Sequence, residues 1–342
     1  MAGDSWPGYS MSWASARSSQ RPRASYDLLQ IGPRSLGRVP TRLTVVQMVS
    51  VSPTAAEHVP RRAGGQSMAN RRNLALRTAW HLAWPVRWYW SHSQRQLGKK
   101  LVLEKLIKRM VPAPPAGFET ELPGGGRVFL HHRADIGLVV LMSGNFECAE
   151  TTCARELARE GTVAIDVGAN VGMFTIPLAL AVGDRGRVLA IEPWPENVAM
   201  LNYNLGLNAL RNVVVRDIAA SAECGEVLLH LGSDPAFHST TSVVKGREAG
   251  ENLRVPSQTL DAIWEDSGTP EVSFLKIDTE GGEFEILEGA TRLLRTWRPA
   301  ILVEAKGEGR AKELDQRLLP QGYVRTRRHG FAPGNFLYAA SE

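Results

Sequence analysis

The segment Val163 to Gly172, VAIDVGANVG, constrains the fold more than any other stretch of the chain. Apolar and small residues lead into Asp166, Gly168 and Gly172 bracket a tight turn, and Met173 to Leu180 continues as a helical apolar stripe. The pattern predicts a buried strand that passes through glycines into a helix. Glycine is needed in such a turn for unusual backbone angles and for close approach of another segment. Free N–H groups in the first helical turn would face whatever sits above the strand end, which suits a carboxylate, a phosphate or a ribose. A dinucleotide fingerprint has the form GxGxxG, whereas the order here is Asp166, Gly168, Asn170, Gly172, which disfavours a nicotinamide oxidoreductase. Taken alone, the turn is also compatible with an α/β protein that binds nothing there.

Three further strand ends sharpen the reading. The apolar run Arg187 to Ile191 stops at Glu192, twenty residues after Gly172. At the carboxyl end of a second parallel strand that acid can accept both hydroxyls of a ribose. Pro195 and Glu196 then begin the next helix. A third strand, Asn212 to Asp217, closes on an acid that is either a turn former or a ligand contact. Glu226 to Leu231 reads as a short extra strand. In Phe274 to Glu283, FLKIDTEGGE, alternation places Lys276, Asp278 and Glu280 on one side of a strand end. Three charges there must pair with one another or face a polar cavity, because burying them unpartnered is costly. In an open sheet this strand end overlooks the same crevice as Gly168 and Gly172.

These motifs resemble those of the FkbM family of class I S-adenosylmethionine-dependent methyltransferases. DVGAN looks like a D/E-x-G-x-G-x-G turn with Asn170 in place of the middle glycine, EPWPEN (Glu192 to Asn197) like E-P-x-P-x-N, and KIDTEGGE like K-x-D-x-E-G-x-E. Gly137 to Glu147, GLVVLMSGNFE, is similar to the family's lead-in. The resemblance implies S-adenosyl-L-methionine held by Asp166, Gly168, Asn170, Gly172 and Glu192, with Asp217 beside the adenine. It also implies an α/β, Rossmann-like fold: a seven-stranded, mostly parallel sheet with one antiparallel strand, flanked by helices. The remaining pattern agrees, with helices over Phe284 to Leu294 and Ala311 to Leu319, and strands over Pro299 to Glu304, Tyr323 to Thr326 and Asn335 to Ala339.

For such an enzyme the expected reaction is O-methylation of a sugar, a glycan or a small natural product. A methyl group offers little polar handle, so catalysis comes mainly from placement of the acceptor. A hydroxyl acceptor must also lose a proton, which Asp278 or Glu280 would take or orient, while Lys276 neutralises the acids. Glu283 and Glu304 are reserve candidates, and His238 in the loop Ser233 to Ser242 is a candidate acceptor contact. No metal site is expected: the eight histidines form no HxH or HExxH spacing, Cys148, Cys153 and Cys224 form no CxxC pair, and a lysine sits within the acidic cluster. The odd cysteine count without a signal-peptide layout fits reduced thiols and a cytoplasmic location.

The amino-terminal third is different in kind. Residues 1 to 110 hold 18 Lys and Arg against 4 Asp and Glu, leaving 22 against 31 for the remainder. The catalytic half is therefore acidic and a poor candidate for nucleic-acid binding by bulk charge. Residues 1–67 read as a disordered basic tail, with Met68 a candidate true start. Residues 68–115 form a basic, aromatic segment and linker, 116–162 a lead-in hairpin and helix, and 163–342 the methyltransferase domain. Between 71 and 110, arginines and lysines interleave with Trp80, Trp84, Trp88, Tyr89 and Trp90 without an apolar run long enough to span a bilayer. That segment reads either as peripheral membrane contact or as a helix used in packing. Two alternatives remain for the whole chain: a class I methyltransferase acting on protein or RNA, and a nucleotide-binding relative without catalysis.

Overall fold

The computed structural model describes residues 117–131, 136–137, 139–140, 146–230, 252–279, 281–305, 307–326 and 328–341. The tail 1–67, the segment 71–110, the loop Ser233 to Ser242 with His238, and Glu280 lie outside the described residues.

A hairpin of β1 (Phe118–Glu121) and β2 (Arg127–Leu130) precedes α1 (Cys148–Leu157). There follow β3 (Val163–Val167), α2 (Thr175–Val182), β4 (Arg187–Ile191), α3 (Pro195–Leu207), β5 (Val213–Arg216), β6 (Ala219–Ala220), β7 (Gly225–His230) and β8 (Asn252–Gln258). The chain continues through α4 (Leu260–Asp266), β9 (Val272–Ile277), α5 (Glu283–Glu288), α6 (Thr291–Trp297), β10 (Ala300–Glu304), α7 (Glu308–Leu318), β11 (Tyr323–Thr326) and β12 (Asn335–Ala340). The main sheet has seven strands in the order β11-β12-β10-β9-β3-β4-β5. β3, β4, β5, β9 and β10 run parallel, and β12 lies antiparallel to both β10 and β11. This is the expected mostly parallel sheet with one antiparallel strand. β6, β7 and β8 form a separate small sheet, of which β8, with Pro256 inside it, was not apparent from the sequence.

Every residue of β3 and of β9 is buried. That follows from their central place: a parallel strand with helices on both faces has no solvent side. The period of two sorts their side chains between two cores. Ile165, Val167, Leu275 and Ile277 join Leu287 and Leu294 on one face, whereas Ala164, Ala190 and Phe274 join Ile176 and Leu178 on the other. The lead-in hairpin shares the second core through Val128 and Leu130. Its β2 edge is tied to α3, where Asn204 Oδ1 accepts the Phe129 N–H at 2.8 Å and Asn208 Oδ1 accepts the Arg127 N–H at 2.7 Å.

The helix expected over Phe284 to Leu294 is two helices, broken at Gly289 and Ala290. The break has a tertiary cause. A Cβ on Gly289 would lie 2.2 Å from the Ser221 carbonyl oxygen, and the Gly289 carbonyl accepts the Asp261 N–H at 2.8 Å. The Asp261 carboxylate in turn accepts the Arg292 and Leu293 N–H groups, both at 2.9 Å, and so starts the second helix from outside its own chain segment.

Candidate active site

Strand registers place the sequence-derived acids in one row along the carboxyl edge of the sheet. Val167 pairs with Ile277 and with Ile191, Ile191 with Arg216, and Val303 with Ile277. One residue further on, Glu304, Asp278, Gly168, Glu192 and Asp217 therefore stand side by side at the ends of β10, β9, β3, β4 and β5. β3 is where the connections reverse direction, with β4 on one side and β9 on the other, so Gly168 sits at the switch point of the sheet.

The turn after β3 is held in a left-handed course by Gly168 (φ 76°), Asn170 (φ 49°) and Gly172 (φ 99°). Asparagine is among the few side-chain-bearing residues that adopt this region at small cost, which accounts for Asn170 at a glycine position. A Cβ on Gly168 would come within 1.9 Å of the Asp278 carbonyl oxygen, so the turns after β3 and β9 meet backbone to backbone. The N–H groups expected to await a ligand are in part engaged by the protein. Gly168 and Ala169 donate to the Ile191 carbonyl at 2.9 and 3.1 Å, Gly172 to Ala169 at 2.9 Å, and Asn170 to Glu192 Oε2 at 2.8 Å.

Glu192 is 5% exposed, and its Oε1 accepts from the Trp194 N–H at 3.0 Å and Asn197 Nδ2 at 3.1 Å. Burial raises its pKa, against the opposing pull of these donors and of Lys276. Asp217 is exposed.

Behind the turn lies a buried charge cluster. Asp166 is fully buried, so it is not a surface acceptor: its Oδ2 accepts the Thr175 hydroxyl at 2.6 Å and its Oδ1 lies 3.2 Å from Lys276 Nζ. Lys276 is its register partner on β9. The same ammonium reaches Asp278 at 3.7 Å, donates to the Gly168 carbonyl at 2.8 Å and to that of Val167 at 3.4 Å, and lies 5.3 Å from the centre of the Phe174 ring. Burial by itself would depress the Lys276 pKa, but Asp166, Asp278 and Glu147 outweigh it and the net shift is upward. Lysine is thus the neutraliser, as its place in the motif beside Asp278 and Glu280 implied. Asp278 keeps a third of its side chain exposed at the crevice.

Glu283, a reserve candidate for chemistry, is instead a structural anchor. It is 2% exposed, 2.6 Å from Arg310 Nη2, and accepts the Gly281 N–H at 2.8 Å, which pins the turn into α5. Two acids had no assigned role in the sequence reading, Glu147 and Glu150 at the start of α1. Glu147 Oε1 accepts from Asn335 Nδ2 at 3.3 Å, and Glu150 Oε1 accepts from the same amide at 3.0 Å and from the Ala332 N–H. Their three-residue spacing at a helix start was the available signal; Asn335 is too distant in sequence to have been linked to them. Among the described residues, no group of three His, Cys, Asp or Glu is placed to hold a metal ion, and no helix is long and apolar enough to cross a membrane. A depression of about 600 Å³ lined by Asp184, Arg185, Arg187 and Arg211 opens at the amino ends of β3 and β4, the edge of the sheet opposite to this row.

Comparison with known proteins places the same residues in a family. Residues 166–331 match the methyltransferase FkbM domain. The chain is 25% identical to methyltransferase sdnD of Sordaria araneosa, with 42% of this chain and 72% of that protein covered. It is 26% identical to hexuronic acid methyltransferase AglP of Haloferax volcanii, with 41% of this chain covered and only 55% of the relative. Among solved structures it is similar to the methyltransferase FkbM of Methylobacillus flagellatus, with 20% identity, a TM-score of 0.39, and 60% of this chain and 52% of that one covered. The sheet order, the glycine turn at its switch point and the matched domain agree: this chain is a methyltransferase whose residues 166–331 form an FkbM domain.

Proposed function

We propose that this methyltransferase moves the methyl group of S-adenosyl-L-methionine to a hydroxyl of a sugar, a glycan or a small natural product. The observation that carries the reading is the row Asp278, Gly168, Glu192 across the switch point, with a buried carboxylate on one side of the glycine turn and a partly exposed one on the other. The residues fit the cofactor. The turn from Gly168 to Gly172 leaves no side chain at its closest approach to β9, and Glu192 Oε2, which accepts a single N–H, keeps a lone pair for a ribose hydroxyl. Asp217, level with Glu192 on the next strand, would border the adenine. Asp166 acts from behind the turn, through Lys276 and Thr175.

When bound, the cofactor supplies an electrophilic methyl on a cationic sulfur. Asp278 would orient the acceptor hydroxyl and, with the other acids, favour the positive charge; Glu280 is a further candidate from the same motif. The hexuronic acid specificity named for the Haloferax relative supports a sugar acceptor. The absence of an (N/D)PPY-like turn after this strand, where KIDTEGGE stands instead, argues against transfer to bases or amides.

Isothermal titration with S-adenosylhomocysteine tests the cofactor site. Glu192→Gln is expected to weaken binding at least about tenfold, roughly 1.4 kcal/mol; unchanged affinity overturns the assignment. Label transfer to hexuronic acid and neutral hexose glycosides, against RNA and protein controls, tests the acceptor class. Label appearing only in RNA or protein overturns the acceptor reading.

A further inference from the structure

Glu147 stands at the start of α1 with its side chain fixed from another part of the fold. Asn335, the first residue of β12, donates to Glu147 Oε1 and is itself held by Glu150. Asn335 pairs in register with Glu304, the neighbour of Asp278 in the row of strand ends. The Glu147 carboxyl is thus carried to the Asp278 end of the crevice, within electrostatic reach of Asp278 and Lys276 on β9 and of Glu150 on its own helix.

Charge balance there is uneven. Asp166, Asp278 and Glu147 all act on the one ammonium of Lys276, and Asp166 takes the shortest contact, 3.2 Å against 3.7 Å for Asp278. Burial first, and then the charge of Asp278, push the Glu147 pKa up to about 7, against the pull of Lys276 and the Asn335 amide. A carboxyl with these properties exchanges a proton readily at neutral pH, and it gains from a positive charge brought into the crevice.

We propose that Glu147, fixed by Asn335 at the Asp278 end of the crevice, takes the proton of the acceptor hydroxyl. The inference rests on the methyltransferase reading above. As the acceptor oxygen forms its bond to the methyl carbon, its proton passes to the Glu147 carboxylate. The electron pair of the broken carbon–sulfur bond stays on sulfur as a neutral thioether, and the proton later leaves to solvent. Asp278, tied to Lys276, orients the hydroxyl and sets the charge that Glu147 meets.

The test needs no acceptor. Titration at pH 7 in two buffers of unlike ionisation heat counts the protons released when S-adenosylmethionine binds, and S-adenosylhomocysteine is the uncharged control. A carboxyl that titrates near 7 is about half protonated at that pH, so the cationic ligand should release up to about half a proton more than the control. Glu147→Gln should abolish that difference and still bind S-adenosylhomocysteine within about threefold of wild type. Asp278→Asn should shrink the difference at pH 7 and move its maximum to lower pH. A wild-type difference that persists in Glu147→Gln overturns the proposal, as does the absence of any difference in wild type, or a Glu147→Gln protein that folds but no longer binds the control. If Glu147→Gln does not fold by thermal unfolding, an unchanged difference in Asp278→Asn overturns it. Failure of the wild type to bind S-adenosylhomocysteine refutes instead the cofactor site itself.

Discussion

Replacing Lys276 with Met would remove the only cation among the described residues that touches Asp166, a carboxylate with no solvent exposure. The variant keeps the length and apolar stem of the side chain, so the contact with Phe174 is largely conserved and the charge is what changes. Breaking a buried pair by removing one partner costs about 3–5 kcal/mol, because the remaining charge is left uncompensated. Here the loss includes a 2.8 Å hydrogen bond to the Gly168 carbonyl and a 3.7 Å contact to Asp278. Set against a typical stability of about 5–15 kcal/mol, this removes a large share of it. For a domain of this size it corresponds to a fall in Tm of about 6–20 °C. Urea unfolding followed by circular dichroism would read it as a lower midpoint at unchanged m-value. The Lys276 pKa is raised in the folded state, so the lysine's contribution is fully present below its unfolded value of 10.5 and is lost only as pH climbs beyond that. The deficit of the variant should therefore be flat between about pH 6 and 9. Adding Asp166→Asn should recover much of the loss, since both charges are then gone. A cost below about 1 kcal/mol, or purely additive effects in the double variant, would refute the account of a shared buried cluster.

Three further outcomes follow from the geometry. Asn170→Gly should be tolerated, whereas Asn170→Val, forced to φ 49°, should cost about 1–2 kcal/mol and weaken S-adenosylhomocysteine binding in calorimetry. Glu283→Ala should speed hydrogen exchange at the Gly281 amide and lower stability by about 2 kcal/mol, with cofactor affinity retained, because its partners are Arg310 and the loop rather than the crevice. The folded state holds a proton on Glu147 that the unfolded chain releases from its ordinary value of 4.5 up to about 7, so this group makes stability fall as pH rises through that window. Glu147→Gln should remove that part of the decline, and equal pH slopes of Tm in the two proteins would contradict it.

The local motifs were legible because each is written in adjacent residues. Apolar runs predicted β3 and β9, glycine spacing the turn after β3, and Pro195 the first turn of α3, and all three stand where the pattern put them. The break at Gly289 was not legible, since the apolar stripe runs through it and the cause is the Ser221 backbone arriving from elsewhere. Nor was the part played by Glu147, whose holder, Asn335, lies 188 residues away. Asp166 and Glu283 read as ligand or catalytic candidates because a charged residue at a strand or helix end carries no mark of what faces it. Only burial and the Lys276 and Arg310 contacts show them to be internal.

By itself, then, the sequence determined the strand–turn–helix unit, the acids that end its strands and the family they resemble, because backbone angles and side-chain alternation act over a few residues. The tertiary structure decided which of those acids are buried partners and which meet the crevice. Charge pairing depends on distance in space, and the register of β3 against β9 and the return of β12 beside α1 bring together groups that chain order keeps apart.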